Sequence, residues 1–201
     1  MSGARGTLQD AWATPLLVAH HDDAPDTLTD LRNLVLERQA HDPGLTAGIH
    51  RAEKTKADLL RRPEPAIAQL QQWILHAGDA LNAHVGSGTR PDGTLLDMVA
   101  EAWAVTYQPG GLHHLHAHHD SVWSGVLYVD VDGLDPGTGL VEFLDPRTAA
   151  IARHPHRNPM TSITPTPGLL LAFPSWLQHW VTPYTGAGRR ISIAFNVGFA
   201  G

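Results

Sequence analysis

A helical first half followed by eight short, turn-bounded strand candidates predicts a mainly β domain with supporting α-helices, folded as a double-stranded β-helix, or jelly roll. Two observations carry that expectation. The hydrophobic period is near 3.6 up to about residue 97 and changes to two from about Met98. Gly- and Pro-rich turn signals then recur between the short runs: Pro109-Gly110-Gly111, Asp135-Pro136-Gly137, Pro167-Gly168 and Gly186 to Gly188. At 201 residues the chain suits one domain with a core of its own, residues 1–97 supporting and 98–201 forming the β core.

The first helix is expected around 27–40, where Leu28, Leu31, Leu34 and Val35 recur at helical spacing and Thr27 with Asp30 resembles a capping box. A second runs from about Glu64 to Val85. Pro65 sits in its first turn, Gly86 lies past its end, and Ile67, Leu70, Ile74, Ala77 and Leu81 form its buried stripe. Residues 46–60 are polar, with room for a short helix over 56–60. Strands are expected at 99–107, 112–118, 123–131, 139–144, 158–163, 168–173, 178–183 and 190–198. The longest loop, 146–159, is either a lid or a plain surface loop.

Composition removes several function classes. A formal charge of -6 gives no basic footprint for nucleic acid or anionic membrane. No apolar run approaches a membrane span and Met1 to Asp10 lacks a signal-like core, which points to the cytoplasm. With no cysteine, disulfides, thiolate catalysis and Cys-based metal sites are all excluded. Histidine stands out instead: 14 copies, five of them between His113 and His119.

Strand alternation over His113-His114-Leu115-His116-Ala117-His118-His119-Asp120 puts His114, His116, His118 and Asp120 on one face. Ligands two apart on a strand can grip one ion, and a facial iron(II) site needs three groups on one side with open positions opposite. His179 follows the apolar run 169–173, among Trp176 and Trp180; a lone histidine in such company is ordinarily a core residue. The last strand presents Ile191, Ile193, Phe195 and Val197 on one face and Arg190, Ser192, Ala194 and Asn196 on the other. An arginine with a hydroxyl two residues on suits a carboxylate, through a bidentate pair plus a further hydrogen bond.

In order and spacing these pieces resemble the 2-oxoglutarate/iron(II) oxygenase superfamily. The likeness is closer to one branch of it, through His116-Ala117-His118, Ser124-Gly125-Val126-Leu127-Tyr128, Phe143-Leu144-Asp145-Pro146-Arg147, the segment Phe173 to His179, and Arg190 to Asn196. The resemblance is dense over about 99–198. It implies iron(II), 2-oxoglutarate and O2, with Arg190 and Ser192 on the distal carboxylate of 2-oxoglutarate and His179 on the metal. The wider superfamily pairs His118 with Asp120, whereas the branch pairs His116 with His118; both sets stay open, and His118 and His179 belong to each. Tyr128 is a further candidate for the carboxylate, Asn196 for orienting a ligand, and Trp103, Trp123, Trp176 and Trp180 for lining a pocket. His50 and Arg51 are candidates for an anionic substrate. The implied reaction is hydroxylation of a small polar molecule such as an amino acid or natural-product precursor. A cupin-like dioxygenase or isomerase without 2-oxoglutarate, or a non-catalytic β-sandwich, are the alternatives. Assembly as a homodimer is left open.

Overall fold

The computed structural model describes residues 13–41, 45–131, 133–147 and 158–200. Among these residues, nine strands and two α-helices follow one another as β1 (Leu17–His20), α1 (Pro25–His41), β2 (Ile49–Lys54), α2 (Pro65–Val85), β3 (Met98–His116), β4 (Trp123–Val131), β5 (Val141–Leu144), β6 (Met160–Ile163), β7 (Leu169–Pro174), β8 (His179–Val181) and β9 (Arg190–Phe199). A single turn of 3-10 helix, Leu59–Arg61, stands where the short helix over 56–60 is expected.

All strands belong to one antiparallel system ordered β1-β7-β4-β9-β3-β8-β5-β6, with β2 pairing β3. The fold is the expected double-stranded β-helix, and β3 is what joins its two halves. Residues Met98–Tyr107 pair with β9, whereas His113 and His116 pair with β8. The two separate strands expected at 99–107 and 112–118 are thus one strand, and Pro109-Gly110-Gly111 is a bend inside it rather than a turn. Gly110 takes a φ of 82, and a Cβ on Gly111 would lie 2.7 Å from the Arg51 carbonyl oxygen, so both positions need glycine. The strand also ends at His116, two residues earlier than the histidine run suggests.

Two strands in the first half were not foreseen. The edge strand β1 is only four residues long, and β2 carries an irregularity between His50 and Ala52 with Arg51 at a φ of 46. That bulge breaks the alternation by which a strand is recognised. Helix α1 begins at Pro25, so Thr27 lies inside it and does not cap it. Helix α2 keeps its expected ends, with Pro65 first and Gly86 in the left-handed conformation after Val85.

The helices cover the outer face of the larger sheet. Leu31, Val35, Ile67, Leu70, Ile74 and Leu81 pack with Leu127, Ile191, Ile193, Phe195 and Val197. Burial of this face commits the opposite face of β9, with Arg190, Ser192, Ala194 and Asn196, to the interior of the β-helix. Gly125 in the middle of β4 is required by the same packing: a Cβ there would lie 2.2 Å from Phe195 Cζ and 2.3 Å from the Leu171 carbonyl oxygen. No described helix is long and apolar enough to cross a membrane. Of the loop 146–159, residues 148–157 lie outside the described residues.

Candidate active site

Two ends of one pocket inside the β-helix hold the chemistry. Its walls include Trp103, Tyr107, His113, His116, His118, Tyr128, His179, Arg190 and Ser192. At one end, imidazole nitrogens of His116, His118 and His179 lie within 4.8 Å of one another, close enough to share a metal ion. The pairing of β3 with β8 sets His116 directly opposite His179. His118 joins them by a different route: beyond the strand end, its backbone N–H donates to the Ser175 carbonyl at 2.8 Å, folding the chain back across the β7–β8 connection.

Hydrogen bonds fix the rings. Nδ1 of His116 donates to the His114 carbonyl at 2.7 Å, and Nδ1 of His179 donates to the Leu177 carbonyl at 2.8 Å. With Nδ1 protonated, each Nε2 keeps its lone pair for a metal. Phe173 meets the His179 ring edge-on at 4.8 Å, Trp103 stacks on His118 at 5.9 Å, and His113 stacks on His116 at 4.0 Å. Burial in this aromatic setting pushes His179 down to about 3 and His118 down to about 4, and it lowers His116 too. The cluster is held as neutral imidazoles, the state a cation needs.

Asp120 is exposed, lies on the bend after the strand, and is not among the three clustered residues. His114 and His119 are exposed as well. The common face expected for 114–120 does not form: the pairing of β3 with β8 is irregular between His113 and His116, so His113 rather than His114 shares the pocket with His116, and the strand ends there.

At the other end, Arg190 is 1% exposed at the start of β9. Its guanidinium lies over the rings of Tyr107, at 4.6 Å, and Tyr128, at 5.0 Å. Nε and Nη1 of Arg190 and Oη of Tyr128 have no hydrogen-bond partner among the described residues. Burial raises the Tyr128 hydroxyl to about 12 and also raises Tyr107, against the pull of the Arg190 charge, so both phenols stay protonated and able to donate. A buried guanidinium with unused donors, beside a phenol and the buried Ser192, costs several kcal/mol unless an anion completes it. A carboxylate supplies the matching acceptors. The donor set thus fits both groups: iron(II) at the three imidazoles, and the distal carboxylate of 2-oxoglutarate at Arg190.

Asn196 stands at the histidine end. Its Oδ1 accepts from Ser124 Oγ at 2.8 Å and its Nδ2 donates to Glu101 Oε1 at 2.9 Å, beside His118. Among the tryptophans, Trp103 lines the pocket; Trp123 is buried and donates to Asn82, Trp176 is exposed, and Trp180 lies on the outer side of β8. His50 and Arg51 are exposed on β2. Tyr107, His113 and Lys54 were missed in the sequence. Tyr107 was within reach, because it follows Trp103 and Val105 at period two; Lys54 required knowing that β2 exists.

Comparisons with known proteins bear on the fold and the family. The family described as "Putative 2OG-Fe(II) oxygenase" matches residues 101–196, the stretch from the start of β3 to Asn196. No curated protein matches the chain. Among solved structures, a Pseudomonas putida prolyl-4-hydroxylase superposes with a TM-score of 0.69 at 19% identity, covering 92% of this chain and 93% of the other. The viral collagen prolyl hydroxylase of Paramecium Bursaria Chlorella virus-1, in complex with 2-oxoglutarate, gives 0.60 at 13% over 92% and 96%. HygX from Streptomyces hygroscopicus, with nickel and 2-oxoglutarate bound, gives 0.61 at 14% over 92% and 83%. At these identities the superpositions speak for the fold, while the family match covers the strands that carry the pocket. Over residues 101–196 the chain is similar to the 2-oxoglutarate/iron(II) oxygenases, and the donor set of the pocket fits the iron(II) and 2-oxoglutarate that this family name carries.

Proposed function

We propose that this single-domain protein is a cytoplasmic hydroxylase of a small polar molecule, such as an amino acid or natural-product precursor. In this reading iron(II) is held by His116, His118 and His179, and the distal carboxylate of 2-oxoglutarate by Arg190, Ser192 and Tyr128. One observation carries it: a trio of neutral imidazoles and a buried, incompletely bonded guanidinium line opposite ends of the same pocket.

When bound, iron(II) and 2-oxoglutarate supply O2 activation coupled to oxidative decarboxylation, giving succinate, CO2 and an oxidised C–H bond in the substrate. The chain's own residues do the rest. Carbonyls of His114 and Leu177 orient two imidazoles through Nδ1, and the Ser124–Asn196–Glu101 hydrogen bonds brace the residue beside His118. Arg190 and Tyr128 fix the depth and direction of 2-oxoglutarate by binding its far end. Val105, Val126, Val141, Phe173 and Val181 keep water from the interior between them.

A three-histidine set also suits a cupin-like dioxygenase that does not use 2-oxoglutarate. Arg190 separates the two readings. Incubation with iron(II), 2-oxoglutarate and O2 should release succinate slowly even without substrate, and Arg190→Met should abolish that release while retaining one bound iron. Succinate formation that is indifferent to Arg190 would remove the cosubstrate role.

A further inference from the structure

The sequence contains only two lysines, Lys54 and Lys56, among 14 basic residues, and Lys54, though not itself in the pocket wall, touches His113, which is. Lys54 pairs across the strands with Val105, which lines the pocket, and directly opposed residues share a face. Lys54 is half-buried, and its Nζ donates to His113 Nε2 at 3.1 Å. An ammonium can only donate, so His113 must accept at Nε2, leaving its Nδ1–H to meet the Tyr107 hydroxyl at 3.3 Å. His113 in turn stacks on His116. The ammonium is thereby fixed one ring away from the histidine cluster, with two of its three donors unused among the described residues.

No carboxylate pairs with Lys54 among the described residues, and no Asp or Glu is among the pocket's wall residues. Glu101 shares the inner face of β3 but is turned to Asn196, and it lies four residues from Val105, roughly 13 Å along the strand. Above the pair sits Gly48, where a Cβ would come within 3.6 Å of His113 Nε2 and 3.9 Å of Lys54 Nζ; glycine leaves that approach uncovered. The distal carboxylate of 2-oxoglutarate is accounted for by Arg190. A second, half-desolvated cation at the histidine end therefore calls for a second anion.

We infer that Lys54 anchors an anionic group of the substrate, a carboxylate or a phosphate, and so fixes which part of the molecule faces the metal. The inference rests on the histidine cluster being the reaction centre. It narrows the substrate to polar molecules carrying at least one negative group.

Having only two lysines makes the test direct. Protein labelled with 13C at lysine Cε, saturated with zinc as a redox-inert occupant and with 2-oxoglutarate, should give two lysine signals, assigned with Lys54→Arg. Titration with acetate, inorganic phosphate and neutral acetamide follows at constant ionic strength. The Lys54 signal should shift saturably with acetate or phosphate, at least about 10-fold more tightly than any response of Lys56, and should ignore acetamide. The tighter of the two anions identifies the group. A Lys54 signal that stays put, or that drifts in parallel with Lys56, overturns the inference. Zinc and 2-oxoglutarate binding are read in the same samples. If they bind and Lys54 does not respond, the anchor alone fails; if they do not bind and Lys54 responds, the anchor stands and the cosubstrate reading fails.

Discussion

The choice between His116 and Asp120 as third ligand turns on where a strand stops. Alternation alone puts both on the face of His118, but β3 ends at His116, and Asp120 lies exposed on the following bend. His116→Ala should therefore lose most bound iron, whereas Asp120→Ala should keep a full equivalent by metal analysis; the reverse pattern would restore the carboxylate triad. Arg190 works at the same scale. Removing one partner of a buried charged pair costs about 2–5 kcal/mol, so Arg190→Met should weaken 2-oxoglutarate binding roughly 30-fold or more by calorimetry, with iron content unchanged. His116, His118, His179, Arg190, Ser192 and Tyr128 were legible because each sits in a short motif on a predicted strand. For Tyr107 the period-two spacing from Trp103 and Val105 marks an inner-face position, but nothing in its neighbourhood marks its contact with a guanidinium 83 positions later.

At the scale of elements, glycine explains what the periodicity could not. Pro109-Gly110-Gly111 has the composition of a turn, yet it bends one continuous strand from its partner β9 to its partner β8. That bend delivers His113 and His116 to the pocket. The matching bulge at Arg51 disguised β2, because the inserted residue shifts the inside–outside pattern by one. By contrast α2 and β9 were readable end to end, the first from Pro65 and Gly86, the second from four alternating apolar residues that meet the helices. Gly125 tests this level. Gly125→Ala would force a methyl group into Phe195 and the Leu171 carbonyl, so unfolding should be easier by about 3 kcal/mol or more. A variant with an unchanged denaturation midpoint would contradict the packing described for β4 and β9.

For the whole molecule, burying several histidines as neutral rings links folding to pH. Burial holds His113 down to about 2, His179 to about 3 and His118 to about 4, all below the 6.5 of an unstructured histidine. Between those values the unfolded chain binds more protons than the folded one. The contribution of these groups to stability is thus complete above about pH 6.5 and is lost progressively as pH falls toward the folded values. Denaturant unfolding of the metal-free protein should give the same midpoint at pH 7.5 and 8.5 from these groups, and a falling one at pH 6 and then pH 5. A midpoint that does not move between pH 7.5 and 5 would mean the rings are not held neutral.

The central claim is that a metal at the three histidines and a 2-oxoglutarate anchored on Arg190 meet within one pocket. Anaerobic titration of the iron(II)-loaded protein with 2-oxoglutarate tests it most directly, through the weak visible charge-transfer band of a keto acid chelated to iron. The account predicts a band that saturates near one equivalent in the native protein and is absent from His179→Ala. Iron bound at full occupancy with no band at any 2-oxoglutarate concentration would contradict it.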